Sequence, residues 1–242
     1  MKKRIRSLAA VSAILLAVAL FFFAAGRLQE NIAVLAVQPE KKIVVIDPGH
    51  GGMDGGAIGD GGVVEKDINL AVALQLKELL SLAGYEVLLT RESDISLHDD
   101  GVSGIREQKK SDIRNRLKIM EEYDGATVVM IHQNQFAESK YSGAQMFYGP
   151  VHPDSRLLAE QLQAAFRQLQ PDNKREIKPG TRDVYLLYNC KNPVVLVECG
   201  FISNPEECRK LQDPDYQHQV AFAIFMGLLA GETGGASGIQ QT

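Results

Sequence analysis

Residues 42–52 read KIVVIDPGHGG, and the fold can first be inferred from this stretch. Its β-branched half predicts a strand over Lys42–Ile46, and Asp47-Pro48 predicts that the chain then enters a loop. Residues 49–62 contain eight glycines, too many for a helix or a strand. The loop could cradle a phosphate, but it has neither the G-K-[ST] of a Walker loop nor a clean G-x-G-x-x-G. The stretch therefore predicts a strand that leads into a glycine-rich loop of another kind.

Strand-like and helix-like segments alternate after this loop. Apolar residues recur at helical spacing through Glu65–Leu82, which predicts a long helix. Ser111 is the expected N-cap of a second helix that runs through Glu122. The remaining predicted elements are two helices, Pro153–Leu169 and Asp215–Ala230, and five strands, Glu86–Thr90, Thr127–Ile131, Gln145–Tyr148, Val184–Leu187 and Val194–Val197. This order predicts an α/β fold, a single domain whose mostly parallel, mixed central sheet is flanked by helices.

The N-terminus has the composition of an export segment. Four basic residues within residues 2–6 precede an apolar run, Leu8–Ala25, that is interrupted only by Ser12. A basic flank before such a run is typical of a signal peptide or of a membrane anchor. We therefore expect residues 1–27 to be an export signal or an N-terminal membrane anchor, with cleavage and anchoring both left open. The rest divides into three expected parts: a linker (28–40), a catalytic domain (41–230) and a flexible tail (231–242).

Charge is unevenly distributed along the 242 residues. The formal net charge is −4, but residues 1–27 hold five basic residues and no acidic one, so the rest of the chain carries −9. An acidic body does not suit a general nucleic-acid binder, which must neutralise phosphates. The three cysteines, Cys190, Cys199 and Cys208, are too few for a disulfide framework and form no C-x-x-C metal motif. Composition thus argues against nucleic acid as a partner and against a disulfide-stabilised scaffold.

Side chains that can do chemistry follow the ends of three predicted strands. They are His50, His132 and Glu198, and Glu65 opens the helix after the glycine-rich loop. In open α/β sheets, ligands bind beyond the carboxyl ends of the strands. Two histidines and one carboxylate are a known ligand set for catalytic zinc. Taken alone, the spacing leaves three alternatives open: that His50 is an ordinary turn residue, that Glu65 only favours a helix N-terminus electrostatically, and that Glu198 is an ordinary polar residue.

Four blocks of sequence resemble the zinc-dependent N-acetylmuramoyl-L-alanine amidases, and they occur in that family's order. The blocks are DPGHGG at 47–52 with Asp54, Gly56 and Ala57; Glu65 with Asn69-Leu70-Ala71; Ile131-His132-Gln133-Asn134; and NPVVLVECGFISN at 192–204. The resemblance covers residues 41–230, and the four blocks together are far more specific than any one of them.

The resemblance implies a role for each of these side chains. His50, Glu65 and His132 would bind one Zn²⁺ ion per chain, with water as the fourth ligand. Glu198 would not bind zinc and would act first as general base and then as general acid. The implied reaction is hydrolysis of the amide bond between the lactyl group of N-acetylmuramic acid and L-alanine in peptidoglycan.

Two smaller expectations concern residues close to these motifs. Asn134, Tyr185 and Leu186 lie near the motif ends and are expected to contact the substrate. Cys199 stands beside Glu198, where the family usually has a residue without a thiol. Because side chains alternate along a strand, Cys199 should point to the opposite face and be an inert, buried thiol.

Within the family, the HQNQF block at 132–136 and Ser142-Gly143-Ala144-Gln145 look most like the sporulation amidases. The resemblance implies a substrate, spore cortex peptidoglycan on the way to muramic δ-lactam, and a role in germination. Together with the N-terminal segment, it predicts an exported protein, membrane-anchored or secreted to the cell wall or the forespore intermembrane space. A protein activator or lipoprotein partner is a further hypothesis. Two alternatives remain: a non-catalytic peptidoglycan-binding regulator, and another zinc peptidase or deacetylase of the cell wall.

Overall fold

The computed structural model describes residues 16–23 and 42–236 of the chain. The chain divides into two compact units, Met1–Lys41 and Lys42–Thr242. In the first unit, residues 16–23 form a helix, α1, whose side chains are exposed. Among the described residues, no helix is both long enough and apolar enough to cross a membrane. Most of the expected export segment and all of the linker lie outside the described residues, so both stay predictions.

The described part of the second unit contains one mixed sheet of six strands. They are β1 (Ile43–Pro48), β2 (Glu86–Leu89), β3 (Thr127–Asn134), β4 (Gln145–Tyr148), β5 (Lys178–Pro179) and β6 (Val194–Phe201). Their order across the sheet is β2-β1-β3-β6-β4-β5. β4 and β6 run antiparallel, whereas the other neighbouring pairs are parallel. The expected mostly parallel, mixed sheet is confirmed.

Helices cover both faces of this sheet. They are α2 (Glu65–Leu82), α3 (Ile105–Met120), α4 (Asp154–Leu169), α5 (Tyr185–Asn189), α6 (Pro205–Gln212) and α7 (Pro214–Ala236). α2, α4 and α7 pack over a first core that includes Val129 and Val195. α3 and α5 cover a second core that includes Val128 and Leu196. Alternate residues of the same strands build the two cores, because successive side chains of a strand point to opposite faces.

Val184–Leu187 is not the strand that its apolar run suggested. The segment is the start of α5, with Leu186 and Leu187 packed into the second core. A short apolar run fits a buried strand and a buried helical turn equally well, so its pattern could not decide between them. The sequence reasoning also missed α6, although Asn204 caps it by accepting hydrogen bonds from two backbone N–H groups and Pro205 is its first residue.

Ser111 does not cap a helix, which corrects a second expectation. α3 begins earlier, at Ile105, directly after Gly104 with its φ of 85°. Ser111 lies buried within the helix, where its hydroxyl donates to Asp99 Oδ2 and accepts from the Asp99 N–H. The hydroxyl therefore fixes the preceding loop to the helix instead of closing the helix N-terminus.

The strand register determines which side chains share a face at the edge of the sheet. His132 pairs with Glu198 across β3 and β6, and Glu198 pairs with Gln145 across β6 and β4. Direct partners on neighbouring strands point to the same face, so these three side chains lie side by side. Cys199 points the other way into the first core, where burial raises the pKa of its thiol. The expectation of a buried Cys199 on the opposite face is confirmed.

Candidate metal centre and active site

Two buried arginines fix the backbone of the loop that carries His50. Arg91 donates to the carbonyl oxygens of Pro48 and Gly49, both at 3.0 Å. Arg116 donates to the carbonyl oxygens of Pro48 and His50. His50 itself has a φ of 64°, a left-handed conformation that residues other than glycine rarely adopt. Three consecutive carbonyl groups are thus held, and the strained histidine backbone stays where the arginines place it.

The charge of Arg116 is compensated by Asp47 at the end of β1. The two side chains are almost fully buried and meet at 2.7 Å, and Thr90 Oγ1 donates to the same carboxylate at 2.6 Å. Burial alone would raise the pKa of Asp47, but the Arg116 charge and the Thr90 hydrogen bond outweigh burial and lower it. Removing one partner of such a buried pair is strongly destabilising, so Arg116 is part of the fold as well as of the site.

Glu65 is the first residue of α2, and its side chain is only 4% exposed. The backbone N–H of Ala57 donates to Oε2 at 2.8 Å, and the N–H of Gln133 donates to Oε1 at 3.0 Å. Asn69 adds a longer hydrogen bond to Oε1. The carboxylate is therefore positioned by the glycine-rich loop and by β3, and it does more than favour a helix N-terminus.

Each of the two histidines meets a different oxygen of this carboxylate. Glu65 Oε2 lies 3.3 Å from His50 Nε2, and Glu65 Oε1 lies 3.0 Å from His132 Nδ1. Gly49 permits the approach, because a Cβ at that position would collide with the His132 ring. One ligand atom from each of the three residues lies within 4.8 Å of the others. Two nitrogen donors and one oxygen donor form a set that fits zinc and leaves coordination positions open for reactants.

Asp54 supports His50 from the side away from Glu65. Its Oδ2 lies 3.1 Å from His50 Nδ1, and Lys109 Nζ donates to its Oδ1 at 2.8 Å. A carboxylate on one imidazole nitrogen fixes the tautomer and leaves the other nitrogen free to act as a ligand. The arrangement therefore directs His50 Nε2 towards the centre of the cluster.

The carboxylates around His50 stabilise a positive charge in the cluster. Burial alone would raise the pKa of Glu65, but His132 and His50 lower it well below its usual range. Burial alone would lower the pKa of His50, but hydrogen bonds to Asp54 and Glu65 raise it to about 9. A metal cation would replace the proton on His50 and meet the same negative surroundings.

Glu198 lies beside the metal-ligand cluster and is not part of it. Its Oε2 is buried, and it has no hydrogen-bond partner among the described residues. Burial raises the pKa of Glu198 to about 7 and the charge of Glu65 adds to this, while His132 acts in the opposite direction. A carboxyl group with a pKa raised to about 7 that shares a sheet face with a candidate metal ligand is suited to general acid–base chemistry.

The three expected substrate contacts have different surroundings. Asn134 ends β3 and is half-buried. Tyr185 begins α5 and is 46% exposed. Leu186 is 8% exposed, and its side chain packs in the second core. As substrate contacts, all three remain predictions.

Arg91 and Asp54 support the site, yet the sequence reasoning gave neither of them a role. Arg91 follows the end of β2 at the same edge of the sheet as His50, and this position is the signal that could have found it. Asp54 stands four residues after His50 within the first of the four blocks. Its role depends on a glycine-rich turn that brings the carboxylate back to the imidazole.

The sequence of the chain is similar to that of known proteins. The profile of a family described as N-acetylmuramoyl-L-alanine amidase matches residues 44–230. The germination-specific N-acetylmuramoyl-L-alanine amidase of Bacillus subtilis is 38% identical over 188 residues, which cover 78% of this chain and 78% of that protein.

Two solved structures resemble the fold. The CwlD amidase from Clostridioides difficile, solved in complex with the GerS lipoprotein, has a TM-score of 0.77 and 40% identity, covering 80% of this chain and 99% of that one. The catalytic domain of CwlV, an N-acetylmuramoyl-L-alanine amidase from Bacillus (Paenibacillus) polymyxa var. colistinus, has a TM-score of 0.68 and 31% identity, covering 79% of this chain and 98% of that one. Since the family match spans most of the chain and both structures are similar to it in fold and in sequence, the chain belongs to the N-acetylmuramoyl-L-alanine amidases, a family of cell-wall hydrolases.

Proposed function

We propose that the protein is a zinc-dependent hydrolase that cleaves the amide bond between the lactyl group of N-acetylmuramic acid and L-alanine in peptidoglycan. One observation carries this proposal: His50, Glu65 and His132 converge beside the buried, unpartnered Oε2 of Glu198. The ligand set supplies a metal site, and the free carboxylate supplies a proton acceptor next to it. The family membership specifies which amide bond such a site would cleave.

His50, Glu65 and His132 would hold the zinc ion through one side-chain atom each. When bound, zinc supplies Lewis acidity towards the attacking water and the lactyl carbonyl group. Glu198 accepts the proton of the attacking water at Oε2 and then transfers it to the departing amino group of L-alanine. Its raised pKa suits both steps, because the group must take up and release a proton within one turnover.

A Glu198→Gln variant tests the role of this carboxylate. We expect it to fold, to bind zinc as the unmodified protein does, and to hydrolyse peptidoglycan about 100-fold to 10,000-fold more slowly. The measurement is a digest of purified peptidoglycan, assayed for free lactyl groups and for new L-alanine amines. Glu78→Gln, on the exposed side of α2, is the matched control. Hydrolysis by Glu198→Gln at the unmodified rate would disprove the mechanism.

The same digest separates the two alternative functions. A non-catalytic peptidoglycan-binding regulator would release neither lactyl groups nor amines. Another zinc peptidase or deacetylase would release different groups from the same polymer. The complete set of metal ligands and the adjacent free carboxylate favour the amidase over the regulator.

We further propose that the substrate is spore cortex peptidoglycan and that the product leads to muramic δ-lactam during germination. The support is the 38% identity to a protein described as a germination-specific amidase. Peptidoglycan from spores and from vegetative cells should be digested side by side with equal amounts of enzyme. Faster cleavage of vegetative material would contradict the proposal.

A lipoprotein partner that activates the enzyme is part of the proposal. The support is that the CwlD amidase was solved in complex with the GerS lipoprotein. Residues 41–230 are the proposed catalytic domain, which can be purified and tested alone on spore peptidoglycan. Full activity without any added protein would show that no activator is needed.

Residues 1–27 are proposed to export the protein, residues 28–40 to act as a linker, and residues 231–242 to form a tail, of which 231–236 continue α7. An exported amidase would reach the cell wall or the forespore intermembrane space, either secreted or held in the membrane by its N-terminus. Fractionation of cells and sequencing of the mature N-terminus distinguish the two. Recovery of the protein in the cytoplasm would contradict export.

A further inference from the structure

Arg175 lies one side chain away from the candidate catalytic carboxylate, with Gln145 between them. Glu198 and Gln145 are direct partners on neighbouring strands, so their side chains share a face about 5 Å apart. Arg175 Nη1 donates to Gln145 Oε1 at 3.0 Å. The guanidinium group therefore lies beyond Gln145 as seen from Glu198, whose side chain shares a face with His132.

The guanidinium group is fixed in orientation by neutral groups. Arg175 Nε donates to the carbonyl oxygen of Ser142 at 2.8 Å, and the group lies over the Phe201 ring at 4.3 Å. Gln145 cannot turn away, because its Nε2 donates to the Glu176 carbonyl at 2.7 Å and so keeps Oε1 towards Arg175. A rigid guanidinium fork is the form in which arginine recognises carboxylates.

No carboxylate forms an ion pair with Arg175 within the part of the chain that the structure describes. Glu207 is the acidic group that acts on it electrostatically, but both Glu207 oxygens already accept backbone hydrogen bonds, from Gly143 and Phe201. In contrast, the buried Arg116 is neutralised by Asp47. Arg175 is half-buried and feels the charge of Glu207, but no carboxylate among the described residues pairs with it directly.

A row of aromatic rings runs from the exposed surface to this arginine. Phe136, 52% exposed, meets Tyr141 edge-on with the ring centres 4.9 Å apart, and Tyr141 lies 6.3 Å from Phe201. Arg175 lies at the inner end of this row, over the Phe201 ring. A substrate that lies along the row would bring its polar groups close to the Arg175 guanidinium group.

We propose that Arg175 binds a free carboxylate of the peptide stem, on the residue that follows the L-alanine of the cleaved bond. The inference rests on the proposed amidase activity, which puts the L-alanine nitrogen at Glu198. An extended chain advances about 3.5 Å per residue, so a carboxylate one or two residues further on reaches the position of the guanidinium group. Arg175 would then select stems with an acidic second residue over stems in which that acid is amidated.

Two soluble compounds test this proposal, both with the side-chain carboxyl of the second residue amidated: the acid, N-acetylmuramoyl-L-alanyl-D-glutamine, which keeps its free α-carboxylate, and the amide, N-acetylmuramoyl-L-alanyl-D-glutamine α-amide, which has no carboxylate. Binding of each is measured by calorimetry to the zinc-loaded Glu198→Gln protein, with and without Arg175→Gln. We expect the acid to bind about 10-fold to 100-fold more tightly than the amide, and we expect Arg175→Gln to abolish the difference. The affinity for the amide should change little.

Two further variants keep the result interpretable. Arg175→Lys retains the positive charge without the guanidinium fork and should keep part of the preference for the acid over the amide. This variant tests the role of Arg175 if Arg175→Gln fails to fold. Arg156→Gln removes an exposed arginine of α4 and should leave the preference intact. An acid-to-amide ratio unaffected by both Arg175 variants would overturn the proposal. If the preference holds but the unmodified enzyme cleaves neither compound nor peptidoglycan, the proposed amidase function fails and the carboxylate site stands.

Discussion

Glu65 contacts each histidine through a different carboxylate oxygen. Each of these oxygens also accepts a hydrogen bond from a backbone N–H group. The carboxylate cannot rotate without breaking these backbone hydrogen bonds. His50 is held in a similar way, by Asp54 on one nitrogen and Glu65 on the other. At the scale of single residues, the backbone hydrogen bonds to Glu65 and the Asp54 contact with His50 hold the ligands without the metal, which lowers the cost of ordering on binding.

Asp54→Ala should weaken zinc binding without unfolding the protein. The change removes the carboxylate that fixes the His50 tautomer, and the loss of such a partner typically costs about 10-fold to 100-fold in metal affinity. Competition with a fluorescent zinc chelator measures the dissociation constant. Asp60→Ala removes an exposed acid of the same loop and is the control. Equal zinc affinity in both variants would mean that Asp54 does not support the ligand.

The metal-free protein should lose stability as the pH rises above neutral. The pKa of His50 is raised from 6.5 to about 9, so its contribution is fully present below pH 6.5 and is lost as the pH rises through 9. We expect a loss on the order of 2 kcal/mol between pH 6.5 and 8.5, measured by urea unfolding after chelation. We limit the pH range to 8.5, because above it buried thiols such as Cys190, whose pKa is raised to about 11, also change the stability. His50→Gln should show a flatter profile, and an equally steep one would rule out His50 as the cause.

At the scale of elements, the connection from β1 to α2 is held at both ends. Arg91 joins its first residues to the start of α2, since it also donates to the carbonyl oxygen of Lys66 at 2.9 Å. Arg116 joins the same residues to α3. A loop with eight glycines would otherwise be expensive to order, because glycine loses the most backbone entropy on folding.

Gly49→Ala should displace the His132 ring and lower zinc affinity at least about tenfold, because the added methyl group occupies the space of the imidazole. Zinc content after dialysis and the dissociation constant are the measurements. Gly55→Ala is the matched control in the same loop, because its Cβ would meet only Val64 Cγ1, at 3.1 Å. If both variants bind zinc equally well, the close approach of Gly49 and His132 is not required.

The success of the sequence predictions depended on the length of each pattern. Glu65–Leu82 was predicted with the observed bounds, because five turns of apolar periodicity leave little ambiguity. Val184–Leu187 was wrong because four apolar residues carry no period. Ser111 was assigned to a helix start from its residue type, but its hydroxyl bonds to Asp99, a loop residue that no local pattern identifies.

At the scale of the whole molecule, a sequence can indicate which strand ends carry reactive residues. His50, His132 and Glu198 were placed at one edge of the sheet on that basis, and the structure brings them together there. The position of Arg91 after β2 could have pointed to the site, but its partners could not be predicted, because they are backbone carbonyl oxygens, which exist at every residue. Such contacts depend on the three-dimensional path of the loop.

Zinc binding should stabilise the entire domain, since the ligands come from the loop that follows β1, from α2 and from β3. At a free zinc concentration 100 times the dissociation constant, linkage gives about 2.7 kcal/mol. For a domain of this size that corresponds to a rise in Tm of about 5–10 °C. Calorimetry with and without a chelator measures it, and the His132→Ala variant should show no zinc-dependent shift. An unchanged Tm in the unmodified protein would argue against a site made by these three residues.

β6 comes last among the strands in the chain but lies inside the sheet, between β3 and β4. As the polypeptide is synthesised, the five other strands emerge before β6. Until β6 is made, one edge of β3 has unpaired backbone N–H and C=O groups. Such an open edge is a template for aggregation until residues 194–201 are inserted. The long sequence separation of this pairing also makes it a slow step. A chain truncated before Val194 would therefore leave two half-sheets with exposed edges, and we expect degradation or aggregation of such a fragment instead of partial activity.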